Sequence, residues 1–268
     1  MLQHIKNRRD EMNYFDQHCH LDDNKFDGIR EGIIKDIYEF GVTKLVSAGY
    51  SLEGSKRAIE LAKKYVFIYA TIGLSPNDFS ENYKEELEEI EKLLEENKAN
   101  TKVVAVGEIG LDYHYDTNRD WQKDVFIKQI DLANKYQLPI VIHTRDAIMD
   151  TIDILKKHPV NKKGVFHCCP FNQDLVREGL KMDFYISVAG PVTFKNSKNA
   201  EEHINQIPLD KMLIETDSPY LAPEPNRGKL NDSRNLKYIV EKIADFRGME
   251  PKEIAEITYK NAKELYGI

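Results

Sequence analysis

Eight short apolar runs, separated by stretches whose apolar residues recur at helical spacing, constrain what this chain can fold into more than any other feature. The runs are Tyr14–Asp16, Val42–Ala48, Val66–Ile72, Val103–Val106, Leu138–Ile142, Val165–Phe166, Phe184–Val188 and Met212–Ile214. Between them, Ile29, Ile33, Ile34, Ile37 and Phe40 mark a helix that Gly41 is placed to stop. Ala58, Ile59, Ala62 and Tyr65 mark a second, and Leu87, Ile90, Leu93 and Leu94 a third within the acidic stretch Glu81–Lys98, whose charges read as its solvated face. Trp121, Val125, Ile130 and Ala133 mark a fourth, Ile148, Ile152 and Leu155 a fifth. After the seventh run comes a polar loop rich in Lys and Asn. Two helical patterns, Leu236–Phe246 and Ile254–Leu265, end the chain.

Strand and helix patterns in alternation predict an α/β fold with a parallel sheet, and closing that sheet into a (β/α)8 TIM barrel removes its unpaired edges. An open, doubly wound sheet is the competing topology. The 268 residues match one barrel of about 250. The reading is one domain over 1–268, with the polar residues 1–11 as a flexible N-terminal extension and Met12 as an alternative start.

The polar residues at the ends of the runs favour the barrel. His18 and His20 are two apart on the first run, so alternation along a strand aims both imidazoles the same way. Glu108, His143, His167 and Asp217 each follow a later run. In a barrel all six would meet at the mouth formed by the C-terminal strand ends. Four imidazoles and two carboxylates suit divalent ions such as Zn, Mn, Ni or Mg, with the histidines counting against a magnesium-only cage. One carboxylate near the centre can bridge two ions, and Glu108 is placed for that.

The formal charge of −7 argues against a broad basic surface for duplex nucleic acid. Two divalent ions held by ligands with only two carboxylates would still leave a positive pocket. Three cysteines, two of them adjacent, make no disulfide framework. With no run of about 18 apolar residues, the expectation is a reduced, cytoplasmic protein with no membrane association and no obligate protein partner.

Longer motifs surround these residues: Phe15-Asp16-Gln17-His18-Cys19-His20-Leu21, Gly107-Glu108-Ile109-Gly110-Leu111-Asp112, His143-Thr144-Arg145, His167-Cys168 and Glu215-Thr216-Asp217-Ser218-Pro219-Tyr220. In these, along nearly its whole length, the sequence resembles the TatD family of metal-dependent hydrolases. The resemblance implies a TIM barrel, two divalent cations and phosphodiesterase activity on DNA. It implies that His18, His20, Glu108 and Asp217 hold one ion, and Glu108, His143 and His167 the other. Two ions activate a water as nucleophile and stabilise charge on the phosphoryl and leaving oxygens. Glu108 and Asp217 are the catalytic candidates, Asp217 as the general base.

Arg227, in Pro225-Asn226-Arg227-Gly228, is a candidate phosphate clamp, since Arg supplies a bidentate fork. Arg145 shares the parity of His143 and is a second candidate, with a structural role at the mouth as the alternative. Where the family commonly has Gly-x-His-Pro-His, this chain has Gly73-Leu74-Ser75-Pro76-Asn77, and Ser75 and Asn77 are expected to hydrogen-bond substrate without carrying a proton. The family's His-Cys-Phe becomes His167-Cys168-Cys169. Parity puts Cys169 on the face of His167, as a soft ligand or a buried filler, and sends Cys19 and Cys168 into the outer packing. The stretch Asn231-Asp232-Ser233 lacks the family's proline. His4, His114, His158 and His203 are expected at the surface or in caps, and Asp16 could orient a ligand from behind.

Two other functions stay open: a barrel hydrolase of a carboxylic ester, lactone or amide, and a non-catalytic metal-binding partner protein.

Overall fold

The computed structural model describes residues 12–268; the expected extension at residues 1–11, with His4, lies outside the described residues. Strand β1 (Tyr14–Cys19) is buried at every position, as a strand covered on both faces must be. Helix α1 (Arg30–Phe40) follows and ends at Gly41, whose φ of 115° lets the chain reverse directly into β2 (Val42–Ser47). The unit then repeats as α2 (Leu52–Lys64), β3 (Ile68–Ile72), α3 (Tyr83–Asn97), β4 (Val103–Asp112), α4 (Arg119–Tyr136), β5 (Ile140–Arg145) and α5 (Ile148–Lys157). It continues through β6 (Gly164–Phe166), α6 (Gln173–Lys181), β7 (Tyr185–Val188), α7 (Ala200–Gln206) and β8 (Met212–Ile214), and closes with α8 (Leu236–Arg247) and α9 (Pro251–Tyr266).

Every strand pairs in parallel with the next, in the order β1 to β8. The seam between β8 and β1 is joined just beyond β8, where Asp217 N donates to His18 O at 3.0 Å and His20 N to Ser218 O at 2.7 Å. The buried Asp16 side chain adds two bonds, accepting from Thr216 N at 2.9 Å and from Thr216 Oγ1. The fold is therefore the (β/α)8 barrel, not the open sheet. Its seam lies at the same end as the expected site.

Phe15, Val46, Val104, Val141, Val165, Tyr185 and Leu213 come from seven strands and pack together as the barrel interior. Ala262, Leu265 and Tyr266 of α9 join that cluster, so the last helix covers one end of the barrel. A larger apolar layer lies between the sheet and the surrounding helices.

Several elements differ from expectation. Helices α6 and α7 occupy segments where no helical pattern was read; α6 buries mainly Leu175, Val176 and Gly179, and α7 is seven residues long with Ala200 and Ile204 inside, too few apolar positions to show a period. Strand β3 begins at Ile68 rather than Val66, which is 89% exposed in the turn after α2. Strands β4 and β5 run on to Asp112 and Arg145, so Glu108 and His143 sit inside strands instead of after them. Among the described residues, no helix is long and apolar enough to cross a membrane.

Candidate metal centre

All six expected ligands converge. His18 and His20 bring their Nε2 atoms to 3.3 Å from each other. Glu108 Oε2 lies 3.3 Å from His18 Nε2 and 3.7 Å from His20 Nε2, and Asp217 Oδ1 lies 3.7 and 3.3 Å from the same two nitrogens. The other oxygen, Glu108 Oε1, is 3.0 Å from His143 Nδ1 and 3.3 Å from His167 Nε2, which are themselves 3.0 Å apart. One carboxylate thus stands between two pairs of imidazoles with an oxygen toward each. Gly110 permits the approach of β5, because a Cβ there would lie 2.0 Å from His143 O.

The donor set fits a cation. Ligand atoms about 2.1 Å from one tetrahedral ion are about 3.4 Å from each other, and nitrogen and carboxylate oxygen are the usual donors. Two compact triads, His18–Glu108–His167 and His18–His20–Asp217, each gather their ligand atoms within 4.8 Å. This division differs from the expected one in giving His18 to both sides, and His143 Nδ1 completes the first side. Burial works to raise the pKa of Glu108, but His167, His143 and His18 hold it well below the usual carboxylate range. Burial likewise opposes charge on His20, yet Asp217 and Glu108 push its pKa up to about 9. The centre therefore concentrates buried negative charge that attracts protons or a metal ion.

Two of the imidazoles, His167 and His143, are held from behind by acids that the sequence motifs contain without an assigned role. Glu215, with no solvent exposure, lies 3.2 Å from His167 Nδ1 and accepts from Cys168 N at 2.7 Å and Ser187 Oγ at 2.6 Å. Gln17 also donates to Glu215, and Tyr266 Oη donates to Gln17 Oε1 at 2.8 Å, which ties α9 to the centre. Asp112 Oδ2 lies 3.1 Å from His143 Nε2. At His167 and His143 the carboxylate behind the ring fixes which nitrogen carries the proton and aims the other inward. Asp16 instead acts through Thr216, pinning the segment that carries Asp217, whose φ is 53°.

The family profile described as TatD related DNase matches residues 15–267. The chain belongs to the TatD family. It is 44% identical over 256 residues to the Bacillus subtilis protein YabD, described as an uncharacterized metal-dependent hydrolase, covering 95% of this chain and 99% of that one. The crystal structure of YjjV, a TatD homolog from Escherichia coli, superposes with a TM-score of 0.88 at 28% identity, covering 95% and 98% of the two chains. A TatD family hydrolase from Entamoeba histolytica has the same fold, with a TM-score of 0.84 at 24% identity over 96% and 99%. This chain is thus a metal-dependent hydrolase of the TatD type.

Beside the candidate ligands lies a cavity of about 330 Å³ whose wall includes His20, Glu108, Tyr50, Tyr220, Ser75 and Asn77. Asp23 and Asp78 also line it. With Asp112 and Glu215 behind the histidines, the surroundings carry more carboxylates than the two expected from the ligands, so the positive surplus read from the sequence is largely offset. Ser75 Oγ donates to Asp78, and Asn77 Nδ2 to Asp112 Oδ2 at 2.8 Å, so both spend a donor on protein carboxylates.

The two arginines stand elsewhere. Arg227 is exposed, with its guanidinium 4.2 Å from the Phe194 ring centroid and Nη1 3.4 Å from Asn196 Oδ1, and Arg145 is exposed over Tyr115. Neither is in the cavity wall. Parity holds for Cys19, buried in the outer apolar layer, but fails after β6, which ends at Phe166 before Cys168 takes φ of 39°. Cys169 is a buried filler in the outer apolar layer, while Cys168 is the one beside Glu215. Asn231 Nδ2 donates to Thr216 O at 2.9 Å and to Tyr220 O, and the Asp232 side chain accepts from Arg234 N at 3.0 Å. His114 faces Asp146 in solvent and His158 ends α5, as expected of surface or cap residues. His203 differs: it is 3% exposed, against Phe171.

Proposed function

We propose that this centre holds two divalent cations and hydrolyses phosphodiester bonds, with DNA as the substrate class. The observation that carries the reading is the division of Glu108, whose Oε2 faces His18 and His20 and whose Oε1 faces His143 and His167. In this reading Glu108 would serve both cations, with His18, His20 and Asp217 holding one and His143 and His167 the other. Zn, Mn and Ni suit these donors, and Mg less so. Bound there, the cations would supply Lewis acidity and an activated water.

The protein's own groups do the positioning. Asp217 directs Oδ1 at both β1 imidazoles, which leaves Oδ2 as the atom to take a proton from the attacking water. Glu215 and Asp112 keep the β6 and β5 imidazoles in their inward orientation. Tyr220, 42% exposed and set edge-on to His20, carries the Lys25 ammonium 4.0 Å from its ring centroid, so a nucleobase would stack on the opposite face. The name of the matching family, TatD related DNase, supports the choice of DNA. Three free cysteines suit a reducing, cytoplasmic compartment.

The test is turnover by metal-stripped, reconstituted protein on labelled single-stranded and duplex oligonucleotides beside a panel of carboxylic esters, lactones and amides, with EDTA as control. The reading expects metal-dependent oligonucleotide cleavage. Carbonyl substrates turned over with no diester cleaved would replace it with the ester, lactone or amide reading, and no turnover of anything with the non-catalytic one.

A further inference from the structure

Asn77 occupies a place where the sequence alone suggests a substrate contact, yet its amide is committed elsewhere. Nδ2 donates at 2.8 Å to Asp112 Oδ2, and that same oxygen lies 3.1 Å from His143 Nε2. Across the ring, His143 Nδ1 is 3.0 Å from Glu108 Oε1 and 3.0 Å from His167 Nε2. Four groups from three successive strand ends therefore form one line, from the loop after β3 through β4 and β5 to the middle of the centre.

Asp112 is fixed on every side. Its backbone N donates to Gln122 Oε1 and its carbonyl accepts from Gln122 Nε2, both at 2.8 Å, while Oδ1 accepts from His114 N at 2.9 Å. Asn77 is the donor that comes from another loop and shares the oxygen used by His143. An ionised carboxylate only accepts, so facing Nε2 it requires the proton there and leaves the Nδ1 lone pair pointing inward. Asn77 settles where that carboxylate oxygen stands.

We propose that Asn77 is a positioning residue for the cation held by His143 and His167, acting through Asp112 on the orientation of the His143 ring. This rests on the two-cation reading. An amide N–H donates at any pH, so Asn77 gives the second cation a support that does not itself titrate beside substrate. Changing Asn77 should then loosen one cation and spare the other. Replacing it with Asp should do more harm than removing it, because two carboxylates would face each other.

The test is a Co²⁺ titration of the metal-stripped full chain, followed by visible absorption and calorimetry, for wild type, Asn77→Ala and Asn77→Asp, with KM for bis(p-nitrophenyl) phosphate at saturating Co²⁺. The expected result is two sites in the wild type, one of them weakened severalfold in Asn77→Ala and by about 10-fold or more in Asn77→Asp, the range seen for groups that orient metal ligands. The other site should stay near wild type in both variants, and KM should stay near wild type in Asn77→Ala. Both sites unchanged with a raised KM would overturn the proposal and return Asn77 to substrate contact. Equal weakening of both sites would overturn it in favour of a general structural role. A wild type that binds one Co²⁺ would overturn the two-cation reading and this inference together.

Discussion

The Nδ1 of His167 lies 3.2 Å from Oε1 of Glu215, a carboxylate wholly closed off from solvent. That pairing commits Nε2 of the same ring to face Glu108, 3.3 Å away. Glu215 also accepts from Gln17, Ser187 and the Cys168 amide, so its charge is satisfied and it cannot turn away.

Glu215→Gln keeps the shape and loses the charge. The new amide would also face the Gln17 donor. We expect cation affinity on the His143–His167 side to fall about 10- to 100-fold, with a stability loss of about 1–3 kcal/mol from the buried mismatch. Metal titration and urea unfolding check the two effects separately. Unchanged affinity would mean that packing alone orients His167.

Asp217→Asn should leave the barrel folded and remove a carboxylate at the point where the proton is taken. Turnover is expected to drop about 10²- to 10⁴-fold, measured on a labelled oligonucleotide at saturating metal with circular dichroism as the fold control. Turnover near wild type would assign the proton to another group.

The ligands were legible because each follows or ends an apolar run, and a barrel brings such ends together whatever their separation in sequence. His18, Glu108 and Asp217 needed no loop geometry to be placed. Their supports were not legible: Asp112 and Glu215 stood inside the motifs, but a buried acid has no periodic signature, and only the partner's position shows that it is paired. A carboxylate two residues before Asp217, directly after the apolar Met212–Ile214, was the available signal for Glu215. Arg227 and Arg145 do not line the cavity, because a position in a loop or at a strand end does not fix where a long side chain points. For Cys169, alternation does not apply, because β6 ends three residues earlier at Phe166 and the backbone turns at Cys168.

Gly110→Ala probes the β4–β5 contact. Gly110 has φ of 140° and its missing Cβ would fall 2.0 Å from His143 O, so the strands must part. A loss of about 2 kcal/mol or more is expected from the backbone conformation and the displacement, together with weaker cation binding at His143. Denaturant midpoints and metal titration read both, and wild-type values for the pair would show that β5 is not held by this approach.

His203 gives a pH dependence with a definite sign. Burial without a hydrogen-bond partner lowers its pKa from 6.5 to about 4. The unfolded chain takes up a proton below about pH 6.5 while the folded chain does not, so stability is fully present above 6.5 and lost as pH falls toward 4. His203→Leu should become more stable than wild type over that interval, by up to about 3 kcal/mol near pH 4. Asp16, whose pKa burial raises to about 7, acts in the opposite direction in both proteins and cancels in the difference. A stability difference between the two that does not vary from pH 7 to pH 4 would contradict this account of His203.

The most direct test of the central claim is an anomalous diffraction map of crystals grown with Mn²⁺ or Zn²⁺. Two peaks are predicted, one on each side of the Glu108 carboxylate, the first against His18, His20 and Asp217 and the second against His143 and His167. A single peak, or two that do not share Glu108, would contradict it.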